Sequence, residues 1–231
     1  MYLAIIPARA GSKRIKNKNI KSFFGYPIIR YPIRQAMLSK LFKKIIVSTD
    51  SQKIKKISIK YGASVPFLRS KSLSNDFTPI AKVLLSVIQN IKNEFFPEYF
   101  CLIYATAALI DKKDLIKSVK ILKKNKNVAD GICSVCKYNL PIQRAFKINK
   151  KNFLEHIDAK YSLKRSQDLE ESYYDAANFV WFNTKFFLEK KGSNLSVLPY
   201  VIHKNNAQDI DNLDDWKNAK KLYRLKNRFS E

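Results

Sequence analysis

Between Arg9 and Lys21 the chain carries six basic side chains: Arg9, Lys13, Arg14, Lys16, Lys18 and Lys21. An even spread of its 44 lysines and arginines would place about 2.5 there. Ala10, Gly11 and Ser12 interrupt the charge, and residues this small let backbone N–H groups approach anionic oxygens. Arg9 and Arg14 offer forked donors, Lys18 a mobile point charge, and Ser12 and Asn19 neutral hydrogen bonds. Near the other end, Asp209, Asp211, Asp214 and Asp215 fall within seven residues of a chain that has only 19 acids. Asp209 and Asp211 are two apart, so an extended segment turns both carboxylates to one side. Two carboxylates with phosphate oxygens and water suit Mg²⁺. Asp214 and Asp215 fit a different task, the cap and first turn of a helix starting near Leu213. A cationic loop and an acidic pair outline a site for a polyphosphate and its divalent metal.

The pattern around these residues predicts what holds them. Tyr2–Ile6, Lys44–Ser48, Phe100–Tyr104 and Ile132–Val135 are short apolar runs, as strands buried on both faces require. Helical spacing covers Ile28–Leu38, Gln52–Tyr61, Pro79–Ile91, Asp114–Leu122 and Leu213–Lys226. Strands alternating with helices of this length imply right-handed crossovers and an α/β fold with a mainly parallel sheet. Ligands in such sheets sit beyond the strand C-terminal ends, where Arg9–Asn19, Asp50 and Thr106 fall. Asp50 fits either that position or a cap for the next helix. The alternation fails from about 141 to 174, a polar and aromatic stretch read as an insertion that packs on a partner subunit or closes over substrate; the sheet resumes at Ala176–Phe182. With no repeat and no linker, residues 1–231 read as one domain.

Composition narrows the classes. Hydrophobic residues make up 46%, which excludes wholesale disorder. No apolar run approaches the roughly 18–20 residues of a membrane span, and Pro7 and Arg9 arrive too early for a signal peptide. Three cysteines point to a reducing compartment, read as the cytoplasm. Cys133 and Cys136 form a CxxC with no second pair, and strand alternation sends the thiols to opposite faces. His203 reads as structural. Five glycines leave no room for a GxGxxG or a GxxxxGK[ST] loop. The net charge of +25 invites nucleic acid, but only nine of the basic residues are arginine and the lysines are dispersed.

The segment Pro7–Asn19 resembles the N-terminal signature of the CMP-sugar synthetases, cytidylyltransferases that activate eight- and nine-carbon keto sugar acids. Gly25-Tyr26-Pro27-Ile28, Val47-Ser48-Thr49-Asp50, Tyr61-Gly62-Ala63 and Leu73-Ser74-Asn75-Asp76-Phe77-Thr78 follow in the family's order. Ile103–Ala107, Pro141–Arg144, Arg165–Glu170 and Tyr174-Asp175-Ala176 are most similar to the members acting on pseudaminic acid; Gln208–Asp211 and Asp215-Trp216 complete the pattern. The resemblance spans essentially the whole chain. It departs at Ala10, where glycine is usual, at Tyr26, where lysine is, at Ala108, where proline is, and over Asn178–Phe182.

The resemblance implies a Rossmann-like fold with the insertion as a dimerisation or lid element, a homodimer, and CMP transfer from CTP to a nonulosonic acid, pseudaminic acid favoured, with release of pyrophosphate. It implies Arg9 and Lys18 as catalytic residues and Arg9, Gly11, Ser12, Arg14, Lys18, Asn19, Arg69 and Thr78 around the nucleotide. Asp209 and Asp211 become the Mg²⁺ ligands. For the sugar acid it implies Arg165 as carboxylate partner, with Tyr104, Thr106, Gln143, Arg144 and Gln167 lining the pocket; Arg144 and Arg165 also fit a subunit contact. Tyr104 stands where sialic acid-specific relatives have Gln, which favours a less polar, deoxy and diacylamino sugar. The same reaction on N-acetylneuraminate, legionaminate or a 3-deoxy-octulosonate, and a basic nucleic-acid-binding protein, are the rival readings.

Overall fold

Alternate residues of the first strand, β1 (Tyr2–Pro7), divide between two cores: Ala4 and Ile6 face one layer of helices, Leu3 and Ile5 the other. Both faces are buried, so the run carries no polar alternation. The computed structural model describes residues 2–228. After β1 come a small hairpin, β2 (Ser22–Phe23) and β3 (Tyr26–Pro27), then α1 (Arg30–Ser39), β4 (Phe42–Ser48) and α2 (Gln52–Lys60). Next are α3 (Ile80–Ile91), β5 (Tyr99–Ile103), α4 (Lys112–Lys124) and β6 (Gly131–Lys137). An excursion carrying the hairpin β7 (Phe146–Ile148) and β8 (Leu154–His156) leads to β9 (Tyr173–Asn183). The chain closes through α5 (Thr184–Glu189), β10 (Val197–Val201) and α6 (Leu213–Arg228).

Six strands form one sheet in the order β10-β6-β9-β5-β1-β4. β1 pairs parallel with β4 and β5, and β10 pairs parallel with β6. β9 runs antiparallel between β5 and β6. On one face Ile33, Ile54, Leu115 and Val119, from α1, α2 and α4, meet Ile6, Val47, Ile103 and Trp181. On the other, Leu84, Val87 and Ile88 of α3 and Phe187 of α5 meet Ile5, Leu102 and Phe182. The α/β layering expected from the sequence is therefore present, with its helices on both faces.

Three features differ from that expectation. α5 is only six residues long, too short for helical periodicity to register. β10 contains Pro199 and lies at the sheet edge, the place where a strand tolerates proline. The insertion is also shorter than 141–174 at its far end, because Tyr173 and Tyr174 already belong to β9, paired with Lys137 and Cys136.

The cysteines behave as strand alternation requires. Cys133 packs with the α3 face and Cys136 with Ala176 and Ile202, and all three cysteines are free. His203 is structural: its Nδ1 accepts the Asn205 N–H at 3.2 Å.

A third apolar cluster fixes the chain ends. Ile15 of the basic loop, Phe23 of β2, Tyr31 of α1, Ile210, and Trp216 and Ala219 of α6 pack together. Phe23 meets Tyr31, Trp216 and Tyr223 edge-on at 5.3–5.6 Å between ring centres. Such ring pairs add about 0.5–1.5 kcal/mol each beyond burial. This cluster carries the residues before α6 back to the basic loop.

Gly131 shows how tightly the sheet is built, since a Cβ added there would sit 2.5 Å from the Trp181 carbonyl oxygen. At Gly11 an added Cβ meets nothing within 4 Å. Gly131→Ala is expected to destabilise the protein by about 1–3 kcal/mol, whereas Gly11→Ala leaves thermal unfolding unchanged. Melting curves of the two variants check both outcomes.

Candidate functional site

β1 and β4 end side by side, with the Ala8 N–H donating to the Ser48 carbonyl at 2.9 Å. The chain leaving β1 then becomes the basic loop, which its own backbone, the Asn19 side chain and two outside groups hold in shape. Ser12 N–H donates to Ala10 O at 2.8 Å and Lys18 N–H to Ile15 O at 3.1 Å. Asn17 takes a left-handed φ of 56°, a conformation that asparagine tolerates, and starts a short 3₁₀ turn over Lys18–Ile20. Asn19 is buried, and its amide donates to the Arg9 carbonyl at 2.9 Å, closing the loop across ten residues. The Ala10 N–H donates to Asp50 Oδ1 at 2.9 Å, and Lys18 Nζ donates to the carbonyl of Ile210.

The loop forms one wall of a cleft of about 640 Å³. Arg9, Ser12, Arg14, Lys18, Asn19, Arg69, Thr78, Tyr104, Thr106, Asp209 and Asp211 all line it. Residues expected from four separate stretches of sequence thus share one depression beyond the C-terminal ends of β1, β4 and β5. Gly11 lies in the loop between two of its members.

Charges in the cleft are paired across it. Arg9 Nη1 meets Asp76 Oδ1 at 2.5 Å, and Lys13 Nζ meets Asp76 Oδ2 at 2.6 Å. Arg14 Nη2 lies 2.8 Å from Asp211 Oδ1, and Lys18 Nζ 3.5 Å from the same oxygen. The two cations hold the Asp76 carboxyl below the usual carboxylate range through their hydrogen bonds. Arg69 is buried at the end of β4, with Nε donating to Ser48 Oγ at 3.1 Å and Nη2 to Ser48 O at 2.5 Å. Burial, partly offset by Asp50, brings its guanidinium down to about 10, so it stays charged at neutral pH. Thr78 lines the cleft while its hydroxyl donates to Ser72 O at 3.1 Å.

The Asp209 carboxyl is raised by loss of water around it and by the charge of Asp211, with Lys18 opposing. Two carboxylates close enough for one to raise the other form a donor set suited to a divalent cation. Among the described residues no third His, Cys, Asp or Glu joins them in a metal-holding group. Mg²⁺ accepts such a set, since it takes one or two carboxylates and completes its octahedron with water and phosphate oxygens. Asp214 and Asp215 belong to the helix start, as the sequence predicts. Asn212 is the cap, accepting the N–H groups of Asp214 and Asp215, and Asp215 reaches back to accept those of Asp211 and Asn212 at 2.9 Å.

The four expected residues of the insertion stand elsewhere. Gln143 donates to the Glu170 carbonyl at 2.9 Å and Arg144 to Ser166 Oγ at 3.2 Å. Arg165 pairs with Asp168 at 2.7 Å, and Gln167 lines a separate recess beside Tyr138 and Glu170. None of the four lines the cleft within this chain. Three acids that the sequence reading did not place at the site do serve it: Asp50 and Asp76, described above, and Asp175, whose Oδ2 accepts the Tyr104 hydroxyl at 3.0 Å. Burial and the Asp175 charge raise the Tyr104 phenol, which stays protonated. Asp50 was visible as the end of a strand; Asp76 and Asp175 lie in stretches that carry the resemblance, which gave neither of them a role.

Comparisons with known proteins identify the family and the fold. Residues 3–226 match the model of a family described as cytidylyltransferase. The pseudaminic acid cytidylyltransferase of Campylobacter jejuni subsp. jejuni serotype O:2 is 38% identical over 230 residues, covering 96% of each chain. The N-acylneuraminate cytidylyltransferase of Escherichia coli O18:K1:H7 is 29% identical over 98% of this chain and 53% of its own. Among solved structures, a CMP:2-keto-3-deoxy-manno-octonic acid synthetase complexed with CTP superposes with a TM-score of 0.71 at 11% identity, covering 97% of this chain and 99% of that one, which shows a shared fold.

Asp50 touches the loop only through the Ala10 N–H. Asp50→Ala is expected to weaken binding of a nucleoside triphosphate about tenfold, near 1.4 kcal/mol, with the melting temperature little changed. Titration calorimetry checks this, and an unaltered Kd would mean the loop keeps its shape without that carboxylate.

Proposed function

The chain belongs to the cytidylyltransferase family, and on that premise we propose how its cleft works. It transfers CMP from CTP to a nonulosonic acid and releases pyrophosphate. The anomeric hydroxyl of the sugar acid attacks the α-phosphorus of CTP, a new P–O bond forms, the bond to the pyrophosphate oxygen breaks, and the hydroxyl proton is released to water. Transfers of this kind ask the protein for alignment and charge neutralisation more than for covalent help. The observation that carries the reading is the single cleft in which Arg9, Arg14 and Lys18 face Asp209 and Asp211.

Within it, Arg9, Ser12, Arg14 and Lys18 take the phosphate oxygens, with Asn19 holding the loop in register. Arg69 and Thr78 lie toward the nucleoside. Arg9 and Lys18 are the catalytic residues, because their charge meets the negative charge that grows on the departing pyrophosphate. Asp209 and Asp211 would hold Mg²⁺, which supplies further neutralisation of phosphate oxygens. Asp76 occupies Arg9 and Lys13 in the free protein, so an incoming triphosphate exchanges one anion for another instead of meeting bare cations.

Pseudaminic acid is the favoured acceptor, supported by the relative that is 38% identical and by Tyr104 in the cleft. The proposal includes a cytoplasmic homodimer. Leu140, just before the insertion, and Ile148, Phe153, Leu154 and Leu163 within it are exposed apolar side chains, a composition suited to a subunit contact. Gln143, Arg144, Arg165 and Gln167 sit on that same insertion and would reach sugar from a second copy. No helix among the described residues is long and apolar enough to cross a membrane.

Pyrophosphate release measured with CTP, Mg²⁺ and a panel of pseudaminic, legionaminic, N-acetylneuraminic and 3-deoxy-octulosonic acids tests the reaction, with pseudaminic acid expected to give the highest initial rate. Retention on DNA without any turnover would favour a nucleic-acid binder instead. Arg9→Ala is expected to lower kcat/KM by several hundredfold, about 3–4 kcal/mol. Asp211→Ala should lose activity that higher Mg²⁺ partly restores. Near-normal turnover of that variant at low Mg²⁺ would remove Asp211 from the metal site.

A further inference from the structure

β9 does not run evenly along its neighbours. Residues Phe179–Asn183 pair with β5, while Tyr173–Asp175 pair with the far end of β6, and the register slips between Cys133 and Val135. The slack is taken up at Ala176–Asn178, where Ala177 has a left-handed φ of 50°. Alanine gains nothing from that conformation, so something nearby must hold it. Asp175 does: its Oδ1 accepts the Ala177 N–H at 2.8 Å, and its Oδ2 accepts the Tyr104 hydroxyl at 3.0 Å. Tyr104 is tied a second time, because its own N–H donates to the Asn178 carbonyl at 3.1 Å on the other side of the kink. One carboxylate therefore locks the kink in β9 and the ring that faces the cleft beside Thr106 and Asp209.

The bond has a direction. A tyrosine hydroxyl has one proton to donate and two lone pairs to offer. Here the hydroxyl donates and the carboxylate oxygen accepts, so the single proton of Tyr104 is committed to Asp175. Whatever meets Tyr104 from the cleft finds an acceptor and no donor.

We infer that Asp175 is a positioning residue for sugar recognition, fixing Tyr104 so that its oxygen accepts from the sugar acid and selects an acceptor substrate presenting an N–H or O–H at that point. An acylamino substituent supplies such an N–H, whereas a carbonyl or carboxylate oxygen turned the same way would meet lone pairs. The inference rests on the sugar-acid reading of the cleft and deepens it: Asp175 need not touch substrate, and its effect passes through the phenol.

Asp175→Asn tests it with almost no change of shape. The amide oxygen can still accept the Ala177 N–H, but the amide nitrogen then donates to Tyr104, which reverses the polarity of the bond. The expected result is a rise of about tenfold in KM for the sugar acid, with kcat and KM for CTP within about twofold and an unchanged melting temperature. Tyr104→Phe is expected to give a similar rise, and the double variant no more than either alone. A sugar KM unmoved in Asp175→Asn, a CTP KM rising in step with it, or effects that multiply in the double variant would each overturn the inference.

A second measurement needs no turnover. In the free protein labelled at tyrosine Cζ, the carbon-13 signal missing from Tyr104→Phe identifies Tyr104; that signal should move in Asp175→Asn at fixed pH. Should the wild-type protein turn over no sugar acid with CTP, the sugar-acid reading fails while a shifted signal retains the pairing. An unmoved signal sinks the pairing whatever the activity.

Discussion

Lys18 and Asp211 are separated by 193 positions in the chain and by 3.5 Å in the fold. Arg14 joins the same carboxylate, and Lys18 also grips the carbonyl of Ile210. These polar links are partly exposed, and contacts of that sort contribute little by themselves. What makes the approach durable is the apolar cluster beneath it, in which Ile15 and Ile210 are buried with Phe23, Tyr31 and Trp216. Burying large side chains supplies the free energy, roughly 1.5–3 kcal/mol for each one fully removed from water. The ion pairs then set the register of two segments already held together. Neither the cationic loop nor the acid pair makes a site alone.

The +25 charge of the chain is a poor guide to this place. Inside the cleft the cations are answered locally, Arg9 and Lys13 by Asp76 and Arg14 and Lys18 by Asp211. Four cations against two shared acids leave a net attraction for polyanions while keeping the side chains ordered. Preordering of this kind lowers the entropy that such side chains lose when an anion binds them. The dispersed lysines elsewhere do not take part, which is why local density was more informative than the total.

Much of the architecture was legible in local pattern. The buried strands β1, β4, β5 and β6 announce themselves as apolar runs, and α1 to α4 as helical spacing between them. Asp214 and Asp215 could be assigned to a helix start because capping is a short-range matter, although the cap itself proved to be Asn212. β10 and α5 were hidden by a proline at a sheet edge and by a length of six residues. The roles of Asp50, Asp76 and Asp175 were hidden for another reason. Asp50 meets Ala10 across 40 positions, Asp175 meets Tyr104 across 71, and a lone acid carries no mark of so distant a partner. The residues of the insertion were read as cleft residues through resemblance; within one chain their side chains bond among themselves.

The antiparallel course of β9 has a consequence for how this architecture can vary. The excursion leaves the sheet at Lys137 and re-enters at Tyr173, and these two residues are paired neighbours, with the Tyr138 N–H donating to the Ser172 carbonyl just outside them. Its stem is thus zipped shut like that of an ordinary hairpin. Extra residues there add loop-closure entropy that grows only with the logarithm of length, and they thread past no other strand. Such an arm can be lengthened, trimmed or exchanged over evolutionary time while the six-stranded sheet it leaves keeps its geometry.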